Sequence, residues 1–263
     1  MKTAETTKAK RIVIKVGTST LTHDTGRLDL RKMEKLAKVI SDLCNDGREI
    51  ILVSSGAQSA GVSRLGLHER PESREGKQAV AAVGQCELMN MYGRFFAEYG
   101  KTTAQVLLTK HVWENEEQRK NAAGTFDKLL EMKCVPIVNE NDTVSYEGIA
   151  FGGNDILASY VALITSAQLL INLSDIDGLF DKDPRKYGDA KLIERVDGID
   201  DAILRGAEGS GTKRGTGGMT AKLQSAQMLS DIPMVIANGK DPDILYGIVC
   251  DGEFVGTYFS KRG

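Results

Sequence analysis

Six short runs of apolar residues set the frame for this chain. They are "RIVIKV" (11–16), "EIILVSS" (49–55), "AQVLLT" (104–109), "CVPIVN" (134–139), "QLLINLS" (168–174) and "PMVIAN" (233–238). Most are apolar at nearly every position rather than at every second one. Strands of that kind are covered on both faces. Helical patterns alternate with them. "LRKMEKLAKVISDLCNDG" (30–47) puts Met33, Leu36, Ala37, Ile40, Leu43 and Cys44 on one face, and Gly47 supplies a stop. Further helices are expected at about 74–98 and 116–132, over "NDILASYVALIT" and over "GMTAKLQSAQMLS". This alternation predicts an α/β fold, a mainly parallel sheet with helices on both faces.

Such sheets gather ligands beyond the carboxyl ends of their strands. The residues to watch are therefore Lys15 to Ser19, Ser54 to Ala57, Asn139 to Asp142, Ser174 to Gly178, and Asn238 to Gly239. Many are Gly, Ser, Asn or Asp, which turns also favour, so any one segment alone is ambiguous.

Composition narrows the function classes. With 34 Lys+Arg against 36 Asp+Glu the net charge is -2. That gives no basic field for wholesale nucleic-acid binding. Cys44, Cys86, Cys134 and Cys250 are far apart and include no C-x-x-C, so buried free thiols in a reducing cytoplasm are expected. His23, His68 and His111 lack metal-ligand spacing and read as surface or loop residues. The first ten residues have no apolar core, and no protein side chains suggest a metal site. "ILASYVALITSAQLLINL" is broken by Ser, Thr and Gln and reads as a helix plus a buried strand, not a membrane span.

Four segments carry candidate chemistry. "KVGTST" (15–20) places Lys15 at the end of an apolar strand, followed by a glycine and three hydroxyls. It can bind an anion, or the lysine can simply snorkel to water. "FGGNDILA" (151–158) puts Asn154 and Asp155 at a helix start, as caps or as groups that orient lysines. "SDIDGLFDKDPR" (174–185) resembles a calcium loop only loosely, because Lys186 stands where the twelfth-position glutamate would be. A turn recognising ribose or base suits it better. "GTGGMTAK" (215–222) leads into a helix whose amides and dipole would face an anion, with Lys222 able to reach back. Alone it could be a flexible surface loop. There is no G-x-x-x-x-G-K-[ST] loop.

Taken in order, "IVIKVGTSTLT", "ILVSSGAQSAG", "VPIVNENDTV", "FGGNDILA", "SDIDGLFDKDPR" and "GTGGMTAKLQSA" resemble the amino acid kinase family, and the likeness runs over nearly the whole chain. "NENDTV" with "SSGAQSAG" favours the branch that phosphorylates glutamate over those acting on acetylglutamate, aspartate, carbamate or UMP. The resemblance implies a three-layer αβα sandwich on an open sheet. It implies one domain over residues 1–263, its amino-terminal part for glutamate and its carboxy-terminal part for ATP, without the PUA domain of longer members. ATP, with Mg2+, would phosphorylate the side-chain carboxylate of L-glutamate to γ-glutamyl phosphate, opening proline biosynthesis in the cytoplasm. Proline as feedback inhibitor and a homo-oligomer are implied too.

By motif position, Lys15, Asp155 and Lys222 would be catalytic, with Asp155 holding the two lysines. Ser55, Asp142 and Asn154 would contact glutamate. Lys15, Ser174, Asp175, Thr216, Gly217, Gly218, Met219, Thr220, Ala221 and Lys222 would contact ATP, with the Ser174 hydroxyl in place of a threonine's. One departure stands out. The family pattern reads F-G-D-N-D, where this chain has Gly153. An aspartate there would help hold the glutamate ammonium, so weak glutamate affinity is expected, with Gly153→Asp restoring it.

Overall fold

The computed structural model describes residues 1–145, 153–200, 203–204 and 218–261. The strands are β1 (Arg11–Val16), β2 (Glu49–Ser54), β3 (Thr103–Leu108), β4 (Val135–Glu140), β5 (Leu169–Ser174), β6 (Arg195–Val196), β7 (Met234–Asn238) and β8 (Gly256–Phe259). The helices are α1 (Thr18–Leu21), α2 (Leu30–Asn45), α3 (Ala57–Arg64), α4 (Arg74–Ala97), α5 (Lys110–Glu114), α6 (Glu116–Glu131), α7 (Asn154–Ile164), α8 (Met219–Met228) and α9 (Ile244–Tyr246). A π-helical turn, Gly247–Asp251, follows α9.

All eight strands join one sheet in the order β3-β4-β2-β1-β5-β7-β8-β6. The first six in that order run parallel, and β8 turns antiparallel to β7. Strand alternation sorts the core into two layers. Ile12, Ile14, Ile50, Leu52, Leu169 and Ile171 face α2, α4 and the α9 turn. Val13, Ile51, Val53 and Leu170 face α6, α7 and α8. Lys15 follows Val13 on that second face. The six strands and five helices read from the sequence are all present to within two residues, and Gly47 ends α2 at φ 89°. The last two strands, of four and two residues, are too short to show a pattern.

The cysteines differ from expectation. All four are free, but none is buried: Cys44 and Cys134 are half-buried, and Cys86 and Cys250 are exposed. Cys86 sits on the outward side of the long helix α4, between its buried Gln85 and Leu88, so apolar neighbours in sequence did not mean burial. The three histidines are exposed. Among the described residues no helix is long and apolar enough to cross a membrane.

Helices α3 and α4 cross with backbones in contact. A Cβ on Gly84 would lie 1.7 Å from the Ala57 carbonyl oxygen and 2.4 Å from the Gly61 nitrogen. Backbone atoms cannot rotate away, so any side chain must drive the helices apart. Overpacking typically costs about 1–3 kcal/mol, and a domain of this size loses about 2–4 °C per kcal/mol. Gly84→Ala should therefore lower the melting temperature by about 3–10 °C in a thermal melt. An unchanged melt would contradict this close crossing.

Candidate active site

Chain order reverses beside β1, which lies between β2 and β5. A crevice opens at the carboxyl ends of strands at such a point. Lys15 pairs with Val53 of β2 and Asn172 of β5 in the ladder register. It lies where β1 meets the first turns of α7 and α8.

Those turns supply its partners. Asp155 Oδ1 lies 2.7 Å from Lys15 Nζ, and Asp155 Oδ2 lies 3.1 Å from Lys222 Nζ. Asn172 Nδ2 also donates to Asp155 Oδ1, at 2.6 Å. The Ser225 hydroxyl of α8 donates to the Asp155 carbonyl at 3.1 Å and is hydrogen-bonded to Ser159 Oγ of α7, which ties the two helices together. Asp155 is 1 % exposed, and Lys15 and Lys222 are each 5 % exposed. Burial alone would push the Asp155 carboxyl up. The two ammonium groups and the Asn172 amide outweigh it and hold the carboxyl below its usual range. Lys15 is lowered from the ordinary lysine value by burial and by Lys222, against the pull of Asp155. Two cations on one carboxylate leave a local excess of positive charge.

Two clefts adjoin this cluster. The first is lined by Lys15, Gly17, Ser174, Asp175, Gly218 and Lys222, with Asp183, Pro184 and Arg185 on its rim. Arg185 Nη2 donates to Asp175 Oδ2 at 2.8 Å, and Asn238 Nδ2 donates to Asp177 Oδ1 at 2.8 Å, bracing the Asp-rich turn. Gly218 caps α8 without a side-chain hydrogen bond. The first-turn amides of Met219, Thr220 and Ala221 have no preceding turn to donate to, so they can meet an anion. Met219 lines the cleft, while the side chain of Thr220 is exposed and that of Ala221 is buried. Thr216 and Gly217 lie outside the described residues.

The second cleft is lined by Ser55, Asn139, Glu140, Asp142 and Asn154 on one side and by Arg70, Arg74 and Lys77 on the other. Asn154 Nδ2 donates to Ser55 Oγ at 3.0 Å and to Asn139 Oδ1 at 2.9 Å. Asn139 in turn donates to Gln85 Oε1 of α4 at 2.9 Å. Burial and the neighbouring Glu140 push the Asp142 carboxyl up to about 6. Thr18, Ser55 and Asn154 line both clefts, so the clefts meet there.

The structure thus gathers Lys15, Asp155, Lys222, Ser174, Asp175, Gly218 and Met219 around the first cleft and Ser55, Asp142 and Asn154 around the second. Of the strand-end segments singled out, Asn238 to Gly239 braces a turn and lines neither cleft. Sequence reasoning missed Arg70, Arg74 and Lys77, which look like an ordinary solvated run in "RPESREGK". It also missed Asn172, whose signal is an amide inside "LLINL". Asn172 is fully buried, and its Oδ1 has no partner among the described residues. A buried unsatisfied polar atom costs about 1–3 kcal/mol.

The structure adds a backbone constraint at Gly153. Gly153 precedes α7 at φ 73°, ψ -153°. That backbone region is essentially restricted to glycine. An aspartate cannot take this path without strain, so the loop does not simply lack a carboxylate.

Comparison with known proteins agrees with this geometry. The model of the amino acid kinase family matches residues 10–238. A glutamate 5-kinase of Clostridium perfringens (strain 13 / Type A) is 50% identical over 262 residues, covering 97% of both chains. A glutamate 5-kinase of Caldanaerobacter subterraneus subsp. tengcongensis is 52% identical over 251 residues, 95% of this chain and 67% of the relative. Among solved structures, the UMP kinase of Ureaplasma parvum matches with a TM-score of 0.67 at 18% identity, covering 97% of this chain and 100% of its own. An isopentenyl phosphate kinase matches with a TM-score of 0.65 at 16% identity, covering 95% and 100%. These last two speak for the fold alone. The chain belongs to the amino acid kinase family.

Proposed function

We propose that this chain transfers the γ-phosphoryl group of ATP to the side-chain carboxylate of L-glutamate, giving ADP and γ-glutamyl phosphate, the opening step of proline biosynthesis. The observation that carries this reading is the meeting of the two clefts at Thr18, Ser55 and Asn154, beside the Lys15–Asp155–Lys222 cluster. The similarity to proteins named glutamate 5-kinase selects the acceptor.

The chemistry follows from charge. A free side-chain carboxylate titrates near about 4.3, so it is already a nucleophile at neutral pH and needs no general base. The barrier is the approach of an anion to a polyanion, so alignment and charge neutralisation carry the catalysis. Lys15 and Lys222 would sit against the transferring and leaving oxygens. Asp155 would hold both lysines in place. Ser174, Asp175, Gly218 and the amides heading α8 would seat the nucleotide, with Thr216 and Gly217 completing the glycine loop. In the second cleft, Arg70, Arg74 and Lys77 suit a carboxylate and Asp142 an ammonium, with Ser55 and Asn154 at the junction.

Among the described residues, no three His, Cys, Asp or Glu side chains gather to hold a metal ion. Mg2+ would accompany the nucleotide and screen the charge of its phosphates. Proline has a carboxylate and an ammonium as glutamate does, which supports it as a competing inhibitor in the second cleft. Residues 1–263 are read as one kinase unit, supported by the continuous eight-stranded sheet. Four free cysteines support a cytoplasmic location. Exposed Leu65 and Leu67 after α3, and Val83 on α4, support a homo-oligomer.

The reading is tested by ADP release measured across glutamate, acetylglutamate, aspartate, carbamate and UMP. Glutamate alone should drive turnover. Turnover with another acceptor but not with glutamate would overturn it.

Two predictions follow from the second cleft. With its carboxyl raised to about 6, Asp142 takes up a proton as pH falls through that value, and glutamate's ammonium then loses its partner. Proton and glutamate compete, so glutamate KM should rise up to about tenfold per pH unit below about 6, with ATP KM little changed. In the absence of glutamate the sign for stability is opposite. The raised carboxyl favours the folded state at low pH, and this contribution fades as pH rises from about 4 to 6. Asp142→Asn should flatten the KM profile, and a variant profile that keeps its slope would remove Asp142 from the site. Separately, strain at a glycine-only backbone position costs about 1–3 kcal/mol. Gly153→Asp should lower the melting temperature by about 2–10 °C without lowering glutamate KM. A lower KM with unchanged melting would restore the original expectation of a missing carboxylate.

A further inference from the structure

Asn172 is an odd residue at its position. It sits in the middle of β5 with Ile171 and Leu173 on either side, opposite Lys15 in the ladder and Ile236 across the other neighbour. It is fully buried, and half of its amide is unsatisfied among the described residues. Leucine would fill such a place without that penalty. The amide's one hydrogen bond goes to Asp155 Oδ1, the oxygen that Lys15 also contacts.

Among the described residues, every other side-chain partner of the Asp155 carboxylate is a lysine that the nucleotide would share. We propose that Asn172 is a positioning residue for phosphoryl transfer, the uncharged donor that keeps Asp155 oriented while Lys15 and Lys222 turn toward the phosphates. The inference rests on the reading of this site as a kinase centre. An amide suits the task because it donates without adding positive charge that would compete for the phosphate. It is also anchored in the sheet backbone, whereas the ammonium groups end long side chains. The charged groups facing Asp155 are Lys15 from β1 and Lys222 from α8, and Asp175 beyond β5 acts on Lys15.

Asn172→Leu removes the donor and the unsatisfied oxygen together at similar size. Loss of a hydrogen bond to a charged group corresponds to about a tenfold to hundredfold fall in kcat, with glutamate KM and ATP affinity held within about twofold. The melting temperature should stay level or rise, which a merely structural role would not give. A second readout needs no acceptor: carboxylate carbon NMR of the free protein should show Asp155 titrating at higher pH in the variant than in the wild type. Asn172→Ala gives the same comparison should leucine crowd the strand. Wild-type kcat with an unmoved Asp155 titration would overturn the proposal, as would a fall in kcat that merely tracks lost stability. If the wild-type chain itself releases no ADP with glutamate, the functional reading fails. The NMR comparison then still decides whether Asn172 governs Asp155.

Discussion

The structure turns on one buried carboxylate. Asp155 stands at the head of α7, out of water, with Lys15 and Lys222 on its two oxygens. Each of these charges would be costly to bury alone, by several kcal/mol per ion. Together they are tolerable but not neutral, because two cations face one anion. The site is left with an excess of positive charge, which on the proposed reading a phosphate would meet. The cluster therefore stores its affinity for anions in the geometry of three separate elements: β1, α7 and α8.

The rest of the fold serves that meeting. The parallel strands bring Lys15 to the carboxyl end of β1, where chain order reverses. Alternation along β1 points Lys15 toward α7 and α8 rather than toward α2 and α4. The Ser159–Ser225 contact and the Ser225 bond to the Asp155 carbonyl fix how the two helix heads approach. On the other side, the tight crossing of α3 and α4 places Ser59 and the basic run from Arg70 to Lys77 around the second cleft. Asn154 is adjacent to Asp155 in the chain and reaches Ser55 and Asn139. One helix start thus serves both clefts, its first residue bonding to Ser55 and Asn139 and its second pairing with the lysines.

Much of this could be read in advance, and the reasons are physical. Doubly buried strands show as uninterrupted apolar runs, which makes β1, β2, β4, β5 and β7 plain in the sequence, whereas β3 has a similar run but is a half-exposed edge strand. Lys15, Asp155 and Lys222 stood out because a charge at a strand end or helix head needs a partner. What escaped depends on three-dimensional packing. Arg70, Arg74 and Lys77 look like any solvated run until α3 and α4 cross. Asn172 acquires meaning only when β5 lies beside β1. The left-handed backbone of Gly153 ahead of α7 is not dictated by any residue pattern. Cys86 is exposed because an outward stripe can run between buried positions of one helix.

The claim that Asp155 orders both lysines is tested most directly by Asp155→Asn, assayed for kcat in protein that still melts cooperatively. The substitution keeps shape and removes the charge between Lys15 and Lys222. Breaking a buried ion pair costs about 3–5 kcal/mol, which corresponds to about two to four orders of magnitude in rate. The account predicts a fall in kcat of that size. A kcat within a few-fold of the wild type would contradict it.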